Sequence, residues 1–132
     1  MGTRESNIER IKQGYAAFNT GDLATLEALF APDIVWHEPG SSPISATYKG
    51  WAEVSGLFVN YAVLSGGTFK AELDDVLASD ARVFSIARVS GERNGRRLDQ
   101  GDHVLFEVGP DDRITEARVL YHDQAAVDAF WS

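Results

Sequence analysis

Three histidines, at positions 37, 103 and 122, and a glutamate directly after the first of them are the side chains of this sequence best suited to moving protons. Glu38 ends a run of strand-forming residues, Ile34-Val35-Trp36-His37. In an alternating strand Trp36 and Glu38 share one face and His37 takes the other. A carboxylate on the tryptophan face would lie among apolar groups, where lost hydration raises its pKa toward neutrality and suits it to take a proton from a carbon next to a carbonyl. The plainer reading is a solvated carboxylate at a strand end. His37 reads either as an acid at the pocket or as a hydrogen-bonded structural residue. His103 stands in a stretch where His103, Leu105 and Glu107 alternate with Val104, Phe106 and Val108, so one set lines a pocket and the other does not. On the histidine face His103 would donate to a developing oxyanion and Leu105 would join the wall. On the opposite face it would pack at an interface between sheets.

Other chemistries find little footing. Without cysteine there are no disulfides, thiol nucleophiles or thiolate metal sites. Three scattered histidines without HExxH spacing do not specify a metal, so neither metal nor cofactor is expected. Gly66-Gly67 reads as a turn and Ser41-Ser42 as loop, which leaves no phosphate-cradling loop and no Ser-His-Asp context. A net charge of -8 argues against nucleic acid, and the one basic cluster, Arg93, Arg96 and Arg97, straddles a predicted hairpin tip. Apolar residues at 44% and charged residues at 24% fit a soluble globular chain rather than a disordered one. No segment reaches the roughly 18 apolar residues of a membrane span. Residues 1–12 lack the apolar run of a signal peptide, so a cytoplasmic protein is the default expectation.

The elements that must position these groups can be read from periodicity. The length of 132 residues suits one domain, residues 1–132, with its own core. Ser6 and Glu9 form a capping box, and Ile8, Ile11, Tyr15 and Phe18 recur at helical steps, with Gly14 as a weak spot. Thr20-Gly21-Asp22 stops that helix and caps a second, whose Leu23, Leu26, Leu29 and Phe30 form a buried stripe before Pro32. A short strand over residues 33–38 ends at Pro39-Gly40, and a Ser/Pro/Gly-rich loop runs to Gly50. A third helix over residues 50–61 places Trp51, Val54, Leu57, Phe58 and Tyr61 inward. The pattern then alternates, predicting strands at residues 68–78, 82–92, 96–108 and 113–122, with Asn94-Gly95 as a type I′ hairpin turn. On the last of these, Ala117, Val119 and Tyr121 share a face. Asp123 reads as the cap of a short C-terminal helix, or as an acid. Helices first and a meander second make an α+β fold: three N-terminal helices on a strongly curved, mainly antiparallel sheet, a cone around one apolar pocket. Tyr15, Trp36, Trp51, Phe58, Tyr61, Leu105, Val119 and Tyr121 are the expected walls, core first and ligand contacts second.

The succession of a helix, Asn19-Thr20-Gly21-Asp22, a Leu-rich helix, the segment from Phe30 through Trp36-His37-Glu38-Pro39-Gly40, and Tyr48-Lys49-Gly50 opening a third helix resembles the nuclear-transport-factor-two-like superfamily. Within it the chain looks most like SnoaL-like and ketosteroid-isomerase-like proteins, over about residues 6 to 131. The resemblance implies a cystatin-like α+β barrel. It also implies a general base at Glu38 and an oxyanion-stabilising acid at or beside His103. The isomerases' oxyanion tyrosine falls on Gly14 and the cyclases' aspartate on Val119. The function expected is cofactor-independent proton transfer, by an isomerase, cyclase or dehydratase, on a small apolar carbonyl compound. The alternative is a non-catalytic module that binds a hydrophobic ligand or dimerises. A homodimer through the outer sheet face is the expected assembly, with neither nucleic acid nor membrane as partner.

Overall fold

The structure, a computed structural model, describes residues 2–132. Helix α1 (Arg4–Thr20) begins earlier than Ser6 and Glu9 predict. Thr3 is the cap: its hydroxyl accepts from the Ser6 amide at 3.1 Å while the Ser6 hydroxyl accepts from the Thr3 amide at 2.9 Å. Ser6 is thus the returning partner of the box rather than its start, because the earlier cap adds the Asn7-to-Thr3 backbone bond to the helix. Gly21, at φ 73°, closes α1, and Asp22 caps α2 (Leu23–Leu29) through the amide and hydroxyl of Thr25.

Strand β1 (Phe30–Glu38) follows α2 without a loop and is longer than the predicted 33–38. Pro32 is carried inside it, where the pairing with the last strand shifts register between Phe30 and Val35, so its missing N–H breaks no regular ladder. The predicted loop before Gly50 contains a four-residue strand, β2 (Ala46–Lys49), paired antiparallel to β1. Helix α3 (Trp51–Leu64) follows, then β3 (Lys70–Ala78), β4 (Arg82–Arg93), β5 (Arg96–Val108) and β6 (Ile114–Tyr121). Asn94 and Gly95 both have positive φ, 52° and 78°, as the type I′ turn between β4 and β5 requires. Asp123 caps a fourth helix, α4 (Gln124–Trp131), accepting from the Ala126 amide at 3.1 Å.

The sheet order is β2-β1-β6-β5-β4-β3. The β1–β6 pair is parallel and the other pairs antiparallel, which makes a mixed sheet. The sheet is open, with β2 and β3 as its two edges, and four helices pack on it, the α+β architecture that the sequence leads one to expect, with the C-terminal helix added to the three N-terminal ones. One set of alternating side chains faces those helices: Ile34 and Trp36 of β1, Val83 of β4, Val104 and Phe106 of β5, and Ala117 and Val119 of β6 are all buried. They pack with Val54, Leu57, Phe58 and Tyr61 of α3 and with Val127, Phe130 and Trp131 of α4. Registry carries this face across the strands, setting Asp102 opposite Tyr121 and Ser85 opposite Val104, which in turn lies opposite Val119.

Candidate functional site

The alternation of β1 decides what Glu38 meets. It points inward with Trp36 and is only 4% exposed. The Tyr61 hydroxyl from α3 donates to its Oε1, and the Tyr121 hydroxyl from β6 donates to its Oε2 at 2.7 Å. The indole N–H of Trp36 lies 3.5 Å from Oε1, long for a hydrogen bond. Burial pushes this carboxyl up to about 7, against the donors from Tyr61, Tyr121 and Trp36, which favour the ionised form. Burial and the Glu38 charge raise both tyrosine hydroxyls well above their usual range, so they remain donors.

A second carboxyl shares this interior. Asp102 of β5 is 7% exposed, and among the described residues its Oδ1 has no hydrogen-bond partner. Burial first and the Glu38 charge second push it up to about 8. Two carboxyls that repel in one apolar compartment do not ionise independently, so near neutral pH Asp102 holds a proton while Glu38 is partly ionised. Asp102 lines an apolar cavity of about 60 Å³ together with Gly14, Tyr15, Trp36, Phe58 and Val104. The Tyr15 hydroxyl is 2.7 Å from Ser85 Oγ, and its pKa is raised by burial first and by the Asp102 charge second. Glu38 stands outside the cavity wall, on the same strand face as Trp36.

The expected site residues therefore separate. Tyr15, Trp36 and Phe58 line the cavity; Tyr61 and Tyr121 hold Glu38; Val119 is buried opposite Val104. Trp51 is a half-buried packing residue against Phe30 and Phe58. His37 faces away from Glu38, with Nε2 2.8 Å from Glu116 Oε2, and this contact lowers the Glu116 pKa. His103 and Leu105 take the outer face of β5, because Val104 and Phe106 take the inner one. His103 Nε2 lies 2.7 Å from His122 Nε2, so one proton lies between them, and its ring stacks on Phe84. Its chain neighbour Asp102, which the sequence reading did not single out, is the one that faces inward. The signal for it was its parity with Val104 and Phe106, obscured because an aspartate in an alternating strand ordinarily reads as solvent-facing. Asp123 caps α4. Among the described residues no group of three or more His, Asp or Glu side chains could hold a metal ion, and no helix is long and apolar enough to cross a membrane.

With this geometry in place, comparison with known proteins is informative. The SnoaL-like domain matches residues 11–117, a span that runs from the middle of α1 to Ala117 of β6 and contains both buried carboxyls. The chain belongs to the SnoaL-like domain family. An uncharacterised protein of Mycobacterium tuberculosis is 33% identical over 131 residues, covering 98% of this chain and 99% of its own. The structure of Bal32a, from a soil-derived mobile gene cassette, is 43% identical, superposes with a TM-score of 0.94 and covers 98% of each chain. A protein of unknown function with a cystatin-like fold from Xanthomonas campestris is 35% identical with a TM-score of 0.90, covering 100% of this chain and 99% of its own. The SnoaL-like fold is therefore shared over essentially the full length.

Both carboxyls carry a higher pKa folded than unfolded. Between about pH 4, where unfolded carboxyls titrate, and pH 7 to 8, the folded protein thus binds more protons than the unfolded one. Their contribution to stability is fully present below that window and is lost as pH rises through it, at up to about 1.4 kcal/mol per pH unit for each group. Glu38→Gln removes one of these groups. In chemical denaturation at pH 5 and pH 8 the variant should gain stability relative to the unmodified protein as pH rises; parallel changes in the two proteins would contradict the assignment.

Proposed function

We propose that this SnoaL-like protein is a cofactor-independent proton-transfer enzyme for a small apolar carbonyl compound, acting as an isomerase, cyclase or dehydratase. In this reading the Glu38 carboxylate takes the proton from the carbon next to the carbonyl. The electron pair of that C–H bond moves into the enolate, and protonated Asp102 donates a hydrogen bond to the oxygen as charge builds there. Glu38 then returns the proton to the carbon skeleton. Tyr61 and Tyr121 fix the orientation of the base, and Tyr15 and Trp36 form apolar wall. The observation that carries the reading is the second carboxyl: a buried Asp102 facing a cavity with Oδ1 unpartnered, beside a base with pKa near 7. Two acids whose environments poise them on either side of neutrality suit one acid and one base role.

A second reading, a non-catalytic dimerisation module of the same fold, is favoured by the size of the cavity. About 60 Å³ is well below the roughly 300–1,000 Å³ of sites for drug-sized ligands. Deuterium exchange into 2-tetralone, a two-ring ketone, followed by NMR separates the two. The catalytic reading expects exchange above the buffer rate, reduced about 10²- to 10⁴-fold in Glu38→Gln. It expects a pH profile that rises as Glu38 ionises near 7 and falls as Asp102 ionises near 8. Exchange at the same rate in Glu38→Gln would remove Glu38 as the base.

The partner proposed for the outer sheet face is a second copy of this chain. Registry lines up Leu77, Phe84 and Leu105 in one outer row and Ile86, His103 and Leu120 in the next, with Leu77 and Leu120 each 55% exposed. The pairs Arg82–Glu107, Arg88–Asp99 and Arg118–Glu116 lie around these rows and offer both signs of charge, as a self-complementary face needs. Sedimentation velocity should give a dimer that Leu120→Asp converts to monomer without loss of helical or strand signal; an unchanged sedimentation coefficient would place the contact elsewhere.

A further inference from the structure

The outer sheet face carries a pair of imidazoles that the inner compartment does not use. His103, in the middle of β5, and His122, just past the end of β6, bring their Nε2 atoms within 2.7 Å and their ring centroids within 4.7 Å. Gly101 makes this approach possible. It is not among the glycines with positive φ, so its backbone does not call for glycine. The space above it does, because a Cβ there would run into Cε1, Nε2 and Nδ1 of the His122 ring. His122 therefore lies over Gly101, and its amide donates to the Gly101 carbonyl at 3.1 Å. On the β4 side, the Phe84 ring stacks on His103 with centroids 5.6 Å apart.

The surroundings suit a soft cation. Registry sets Ile86 and Leu120 on either side of His103, and Arg88, opposite Gly101, is turned onto Asp99 at 2.6 Å, so its charge is balanced. The chain as a whole carries a net charge of -8. Two imidazole nitrogens aimed at one point are donors for zinc, nickel or copper rather than for magnesium or calcium, which take oxygen. A tetrahedral zinc ion holds each nitrogen at about 2.0–2.1 Å and thus sets two of them roughly 3.3 Å apart. The two rings have only to open by about half an ångström, with the ion taking the place of the proton between them. His103 Nδ1 has no hydrogen-bond partner among the described residues, so no second bond opposes that turn. One chain supplies only two ligands here, half of what a tetrahedral ion takes.

We propose that His103 and His122 are half of a zinc site, and that a second copy of the chain, packed on the same outer face, supplies the other half. The inference rests on the outer-face dimer proposed above. In a two-fold contact the residues nearest the axis meet their own counterparts. The pair bridges β6 and β5, the two middle strands of the six, so a face-to-face contact brings one pair onto the other. Four neutral imidazoles then surround one ion, with Ile86 and Leu120 of both copies keeping water out. Such an ion has no open position and ties the copies together rather than activating a water. Because it binds only the paired form, it strengthens the dimer by mass action.

The test uses the untagged whole chain, stripped with EDTA and then given zinc or cobalt(II) alone. Titration against a chromophoric zinc chelator should give one ion per two chains, and cobalt should show the intense visible absorption of a four-coordinate site. Sedimentation should show the dimer dissociation constant falling at least about tenfold with zinc. His122→Ala removes one ligand per copy and should abolish the zinc effect while leaving the dimer measured in EDTA as it was. Gly101→Ala keeps both histidines but pushes one ring aside, and should weaken zinc binding about 10- to 100-fold. Undetectable binding at high micromolar zinc, one ion per chain, the weak spectrum of six-coordinate cobalt, or full binding in either variant would each overturn the proposal. The two proposals fail separately. A dimer in EDTA that ignores zinc removes the metal site and keeps the outer-face contact, whereas a chain that pairs only with zinc keeps the site and removes the metal-free dimer.

Discussion

A carboxylate at the inner end of a strand has to be satisfied without water, and much of this fold can be read as the answer to that demand. Glu38 lies where β1 runs out, and its two oxygens are claimed from different directions, one by Tyr61 on α3 and the other by Tyr121 on β6. An ionised group deprived of water and left unpaired would cost several kcal/mol. The two donors hold that cost down without abolishing it, and the residue of the cost appears as a pKa lifted to about 7. The parallel pairing of β1 with β6 is what brings the tyrosine of one strand to the glutamate of the other, and α4 closes the same end with Trp131 packed near Tyr61. The helices, the mixed sheet and the C-terminal helix thus converge on one ionisable group.

The second carboxyl turns this from a structural detail into a candidate site. Asp102 faces the apolar interior beside Tyr121, and the charge on Glu38 adds to the burial that keeps Asp102 protonated. A buried acid with an unpartnered oxygen is a stability burden that a packed core has no reason to retain, so a use for it is the economical explanation. The proposed chemistry uses each carboxyl in the state its surroundings favour, one as base and one as hydrogen-bond donor. The histidines take no part in it: they lie on the other face, where His37 is paired to Glu116 and His103 to His122.

Much of the fold was legible because hydrophobic period and turn chemistry agreed. The switch from three- and four-residue steps in α1 to alternation after Gly67, the Asn94-Gly95 turn and the Asp123 cap each carry their own signal. What was not legible depends on partners distant in sequence. The strand β2 is four residues of mostly polar edge that forms because β1 lies beside it. The open, mixed sheet follows from the parallel β1–β6 pairing, which neither segment announces. In the site, Glu38 could be placed on an inward face from Trp36 alone. His103 was singled out and Asp102 was not, because the phase of β5 is set by Val104 and Phe106 only once they are known to face the helices.

The account stands on the ionisation of Glu38 inside the fold. Direct titration of the side-chain carboxyl carbons by ¹³C NMR, with Glu38→Gln and Asp102→Asn used to assign the two resonances, measures it without any substrate. The account predicts a Glu38 midpoint near 7 and an Asp102 midpoint near 8, with the Asp102 midpoint falling when Glu38 is replaced. Midpoints near 4 for both groups, the range of solvated carboxyls, would contradict it.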